Sequence, residues 1–338
     1  IGAGFAGDAN LGSISFTFTT PSAHRDEAVS LLKLAMTSPR FDVEPIERAR
    51  RAALANLKQE AVAPGSVAMR RLSGMLHGSS RYAQSIYGTP QTLDRISVDD
   101  IRAVRKRIFA RSNLRVAAAG DIDAKSLATL LDEVFGSLPA TADITPSSAP
   151  EPVVARQETI SMDLPQTIVL FANNLPRLDG KSAHAASVFN QILSASFTGR
   201  LFQIVREKEG LVYSVATNRL AFPKWDMFWG SLGAAPDKAE RAFALTMREI
   251  DRLVKDGPSA QELEDAKSAL RGSTYLGLDT SANLSAMLLW MLERKLPDTF
   301  IADYDAAIAS ITIDDVRAAG QVLFHPERMV SVSVGKSP

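Results

Sequence analysis

Two periods run through the apolar positions of this chain. Ile14, Phe16 and Phe18 alternate with Ser15 and Thr17, the period-two pattern of a half-buried strand. Val29, Leu32, Ala35 and Met36 then recur at helical spacing and stop near Ser38-Pro39. Ile46, Ala49, Ala53 and Leu57 predict a second helix, with Pro45 in its first turn. Helices are also predicted near 98–110 and 124–135, with a strand over 114–119 between them. Beyond residue 156 the pattern predicts strands near 158–163, 167–172, 211–217, 226–232 and 329–334. Helices are predicted there near 182–196, 199–208, 237–255, 260–275, 281–294 and 313–324.

The stretch from Leu138 to Arg156 breaks both periods. It carries prolines at 139, 146, 150 and 152 among small polar residues, which sustain neither a helix nor a central strand. It reads as a linker over 139–156, between a first domain over 1–138 and a second over 157–338.

The two halves share a repeat. Ile96-Ser97-Val98-Asp99-Asp100-Ile101-Arg102-Ala103 resembles Ile311-Thr312-Ile313-Asp314-Asp315-Val316-Arg317-Ala318, 215 residues later. The same offset carries Phe109 to Phe324, Gly120 to Gly335 and Pro21 to Pro236. One offset across three elements favours duplication over chance likeness of helix-strand units. The second half opens with two strands and a helix that have no counterpart in the first. The expectation is therefore that the first domain lacks its N-terminal strands and one helix, about 60 residues.

Composition narrows the function. The 338 residues are 46% hydrophobic and 22% charged, an ordinary globular balance. With 38 basic and 38 acidic residues the net charge is zero, so the electrostatic footprint of a nucleic-acid binder is missing. There is no cysteine, which excludes disulfides, thiolate metal sites and cysteine nucleophiles. No run approaches 18 uninterrupted apolar residues, so no membrane-spanning helix is expected.

Most candidate chemistry is weak. Of the four histidines, His24, His77, His184 and His325, no two stand four apart on one helix face, as a zinc hydrolase pair does. Gly2-Ala3-Gly4-Phe5-Ala6-Gly7 matches a dinucleotide fingerprint in letters only. A strand follows it where a helix is needed, so it reads as a loop or chain end. Gly180-Lys181-Ser182 and Gly335-Lys336-Ser337 lack the upstream glycine of a phosphate loop.

The most informative stretch runs from Leu201 to Val215. A helix ends near Glu209, Gly210 suits a left-handed cap, and a strand follows. Arg206 puts a forked cation near the helix end, and Tyr213 puts a phenol on the strand. Such a pair can hold a carbonyl and donate to a developing oxyanion. An exposed Arg and a core-packed Tyr fit the same letters, and chemistry alone favours that plainer reading.

The segment resembles the Arg/Tyr signature of the insulinase/pitrilysin family of zinc metallopeptidases, in which the two residues stand seven apart, as Arg206 and Tyr213 do. Ile192–Phe202 is also similar, as are Gly88-Thr89-Pro90-Gln91-Thr92-Leu93 and Asn113-Leu114 leading toward Gly120-Asp121. The likeness covers essentially the whole chain. It implies an α+β protein of two homologous α/β domains, each a mainly antiparallel sheet covered by helices, which agrees with the repeat.

Members of that family that cleave peptides carry His-x-x-Glu-His on a first-domain helix and a Glu ligand on a later helix. The repeat places the first motif ahead of Ile1. Alignment through Pro64 puts the Glu position at Asn56, with Ala55 before it; a slip of one turn would make it Glu60. A neutral Asn is a poor zinc ligand beside two His. The resemblance thus implies the non-zinc-binding subunit of a heterodimeric zinc metallo-endopeptidase that hydrolyses peptides. Its partner is a homologous sister subunit that carries the zinc, and no metal is expected in this chain. Arg206 would hold the substrate backbone and Tyr213 the oxyanion, both in the partner's site, and the chain alone would be inactive. Substrate would add a strand to a sheet edge of the partner's first domain; the equivalent edge here is Ile14–Phe18. Two alternatives stay open: an N-terminally trimmed zinc peptidase active as a homodimer, and a structural subunit without proteolysis. The expected compartment is the bacterial periplasm, with the cytoplasm as the alternative.

Overall fold

A computed structural model describes residues 1–145, 148–151 and 153–336. Pro146 and Pro152 of the predicted linker, and Ser337, lie outside the described residues. The first strands and helices in chain order are β1 (Gly4–Ala9), β2 (Ile14–Thr19), α1 (Arg25–Thr37), α2 (Val43–Val62), α3 (Pro64–His77), α4 (Pro90–Arg95), α5 (Val98–Ile108) and α6 (Ala124–Phe135). They continue with β3 (Arg156–Ser161), β4 (Thr167–Pro176), α7 (Gly180–Ser194), β5 (Val212–Ala221) and β6 (Trp225–Ala234). The last are α8 (Ala239–Asp256), α9 (Ala260–Leu276), α10 (Ser281–Arg294), α11 (Phe300–Ala309), α12 (Ile313–Leu323) and β7 (Val330–Gly335).

These elements form two compact units, each drawing on separated stretches of chain. One comprises Ile1–Lys58, Ser85–Ser147 and Gly277–Pro297; the other comprises Gln59–Gln84, Ser148–Leu276 and Asp298–Pro338. In the first unit β1 and β2 form an antiparallel hairpin, in register from Gly4↔Thr19 to Ala9↔Ile14. Asn10 shapes its loop: its Oδ1 accepts from the Gly12 and Ser13 amides at 2.8 and 2.9 Å. Gly4 to Gly7 are therefore strand residues, which corrects their reading as a loop or chain end. Val29 and Met36 of α1 pack with Val134 of α6 into a small core.

The second unit holds a five-stranded sheet in the order β3-β7-β4-β6-β5. Only β3 and β7 run parallel; the other neighbours are antiparallel. Both faces are covered, so β4 is buried or half-buried at every position but its last, Pro176. Val169 and Phe171 join Phe189 of α7, Ile250 of α8 and Val316 of α12 in the larger core. Leu170 and Ala172 point the other way, where Ala68, Leu72 and Leu76 of α3 close the face.

The repeat is visible in the helix starts. Ser97 and Asp100 form a capping box on α5, and Thr312 and Asp315 form the same box on α12. The predicted 114–119 strand does not form, although its counterpart β7 does. β7 is held between β3 and β4, whereas among the described residues the sheet of the first unit is the β1–β2 pair alone. An apolar run becomes a strand only where a neighbour takes its backbone hydrogen bonds.

Candidate functional site

Arg206 lies in a π-helical segment, Phe202–Lys208. Leu201 and Val205 face inward and are fully buried in the larger core. That fixes the outward positions, and the guanidinium carbon of Arg206 sits 4.8 Å from the Phe202 ring centroid. The side chain is 44% exposed, with its Nε 4.0 Å from Glu207. The segment closes with wide-turn bonds, Glu209 N to Ile204 O at 3.1 Å and Leu211 N to Val205 O at 3.0 Å. Such π turns recur at functional sites because the extra residue pushes side chains outward.

Gly210 then takes a left-handed φ of +59° and reverses the chain into β5. Its carbonyl accepts from Lys238 Nζ at 3.1 Å, and Arg241 donates to Glu209 at 2.8 Å, so the turn is tied to α8 and the residues before it. Tyr213 follows in a β-bulge. Val212 pairs with Ala234 and Ser214 with Gly233, which leaves Tyr213 without a partner position. The extra residue re-aims its side chain, which is 59% exposed. β5 is an outer strand of the sheet. Tyr213 is thus not the core-packed residue that the plainer reading of the sequence held.

The start of the Arg206 segment is anchored by a forked ion pair. Arg200 donates to both Glu262 oxygens, at 2.6 and 2.8 Å, and to Gly257 O at 3.1 Å. Glu262 also accepts from the Ser259 amide at 2.8 Å, just ahead of α9. The Arg200 hydrogen bonds hold its carboxyl well below the usual range, at about 2.

Asn56 is exposed on α2 and belongs to the other unit. Glu60, one turn on, is half-buried with Arg70 at 3.7 Å. Among the described residues, no group of three or more His, Cys, Asp or Glu gathers where it could hold a metal. The histidines stand apart. His24 is exposed ahead of α1. His77 packs edge-on against Trp225, and burial lowers its pKa. His184 stacks on Phe300, and its pKa is lowered by burial and then by Arg219. His325 pairs with Glu327 at 3.1 Å. Asn56 offers only a neutral, exposed amide, a poor zinc ligand, and no histidine pair lies with it among the described residues.

Three further residues belong with Arg206. Phe202 forms its aromatic seat, and Phe197, 71% exposed, meets Phe202 edge-on at 5.4 Å. Gln203 Nε2 donates to the Phe197 carbonyl and closes the group. The signal is present in the sequence as an aromatic four residues before the Arg.

The family described as the peptidase M16 inactive domain matches residues 95–270, more than half of the chain. An uncharacterized zinc protease of Streptomyces coelicolor is 28% identical over 318 residues, 90% of this chain and 68% of that protein. A non-peptidase homolog of Helicobacter pylori is 26% identical over 275 residues, 81% of this chain and 63% of that one. The chain thus spans about two thirds of the length of these relatives. A crystal structure of a peptidase M16 inactive domain from Pseudomonas fluorescens superposes with a TM-score of 0.93 at 25% identity, covering 100% of this chain and 81% of that one.

Proposed function

Because this chain belongs to the peptidase M16 family, described for the matching segment as its inactive domain, we propose that it is the non-zinc subunit of a two-chain peptidase. A homologous sister subunit supplies the zinc, which polarises the scissile carbonyl and activates water. This chain supplies Arg206 and Tyr213. The guanidinium takes a substrate backbone carbonyl in its fork, which orients the peptide. The phenol donates a hydrogen bond to the oxyanion as the carbonyl carbon becomes tetrahedral. The observation that carries the reading is the placement of the two residues. A π turn and a β-bulge, on either side of Gly210, turn a guanidinium and a phenol outward beside an outer sheet strand.

A second reading is a structural subunit without proteolysis. The description of the Helicobacter pylori relative as a non-peptidase homolog favours it. Assay of peptide hydrolysis by the chain with and without a zinc-bearing sister separates the two. The first reading requires activity of the pair and none of the chain alone; the second requires no dependence of cleavage on this chain. We place the pair in the bacterial periplasm, with the cytoplasm as the alternative, to be decided by cell fractionation. No helix among the described residues is long and apolar enough to cross a membrane.

A further inference from the structure

The first unit contains a cavity of about 310 Å³ that the peptidase reading does not use. It lies among the end of α1, the last turns of α5 and the segment 137–139. Arg102, Arg105 and Lys106 line it, together with Thr37, Phe109 and Pro139, and no carboxylate does. The cations are not equivalent. Arg105 donates from Nη2 to the Met36 and Thr37 carbonyls at 2.6 and 2.9 Å, so its charge answers the C-terminal end of α1. Its Nε is buried with no hydrogen-bond partner among the described residues. Among the described residues Arg102 has one exposed partner, Asp99 at 3.0 Å, a kind of pair that yields readily to a better acceptor. Lys106 is exposed, and no carboxylate lies within ion-pair distance of it among the described residues. Two exposed cations therefore remain to meet a ligand.

The walls are fixed. The Arg111 amide donates to Pro139 O at 2.9 Å, and Ser112 to Ala140 O at 3.0 Å, which holds the 137–139 segment against the end of α5. The half-buried ring of Phe109 and the ring of Pro139 give the cavity an apolar side. Its volume is at the small end of the range for small-molecule sites, roughly 300–1,000 Å³. A phosphate monoester carries about −1.5 to −2 charges at neutral pH, which suits one unpaired cation and one held only in an exposed pair; a carboxylate carries half as much. We propose that this cavity binds a phosphate group, with Arg102 and Lys106 as its counter-charges. The ligand is either free phosphate or a small organic phosphate whose apolar part rests on Phe109 and Pro139.

Titration calorimetry on the purified chain tests this with three probes in low-salt buffer: inorganic phosphate, phenyl phosphate and benzoate. Saturable one-to-one binding of a phosphate, tighter than benzoate, is expected. Phenyl phosphate tighter than inorganic phosphate identifies an organic ligand; equal affinities identify free phosphate. The Arg102→Gln/Lys106→Gln double variant should bind at least tenfold more weakly, and the charge-preserving Arg102→Lys/Lys106→Arg variant should still bind. Both side chains are exposed, so the fold tolerates the changes, and a thermal melt of each variant checks it. Absence of saturation by either phosphate, benzoate as tight as phenyl phosphate, or undiminished affinity in the double glutamine variant would overturn the proposal.

Discussion

The guanidinium of Arg206 rests over the ring of Phe202, 4.8 Å from its centroid, within one π-helical segment. The ring does for the cation what a carboxylate would do more strongly. It fixes direction while leaving the hydrogen-bond donors free for another acceptor. If Arg206 grips substrate, Phe202 is its positioning residue. Phe202→Ala should lower kcat/KM of the assembled pair by roughly two- to fivefold, the kinetic equivalent of about 0.5–1 kcal/mol. Phe202→Tyr should restore it. Equal stability of both variants in thermal melts would separate positioning from folding.

The turn that joins the two proposed site residues depends on Gly210. Its φ is +59°, and a methyl group added there would meet no atom within 4 Å. The cost of Gly210→Ala is therefore conformational, roughly 1–2 kcal/mol. Urea unfolding should show that loss, with activity of the pair falling further as the segment shifts. Unchanged stability would mean that the left-handed turn is not held in solution.

Acid should loosen the same segment. The folded-state pKa of Glu262 is about 2, below its ordinary 4.5, because Arg200 hydrogen-bonds the carboxylate. A depressed carboxyl contributes stability that is fully present above about pH 4.5 and is lost as pH falls toward 2. Glu262→Gln should lower stability at pH 7 and flatten the decline between those two values. An unchanged slope would show that the Arg200 contact is loose.

Asn56 sets the expectation for metal. The purified chain should carry no stoichiometric zinc by elemental analysis, and Asn56→Glu alone should not create a site, since no histidine pair lies with it among the described residues. One zinc per chain would refute the assignment of Asn56 to the ligand position.

Much of the fold is legible in the chain because burial writes itself as a period. The helices over Val29–Met36 and Ile46–Leu57, and the strands around Val169 and Phe228, stand within a few residues of where alternation puts them. α3 is less legible. The pattern predicts no element there, yet Pro64 fits a first helical turn, and the inward positions Ala68, Leu72 and Leu76 lie strictly four apart. The strand predicted over 114–119 fails for the opposite reason: its apolar pattern is right, but no neighbouring strand takes its backbone. At the candidate site the seven-residue spacing from Arg206 to Tyr213 is plain in the sequence. The π turn and the bulge are not, because each is one residue of slack in a hydrogen-bond ladder, set by what Val205 and Val212 must bury.

The most direct test joins this chain to a zinc-bearing sister and follows cleavage of an unfolded peptide. Tyr213→Phe should cut kcat/KM by about 10²–10³, the usual cost of removing an oxyanion-site donor, and Arg206→Ala should abolish most activity by releasing the substrate backbone, while the pair still assembles by light scattering. Full activity in either variant, with assembly intact, would contradict the account.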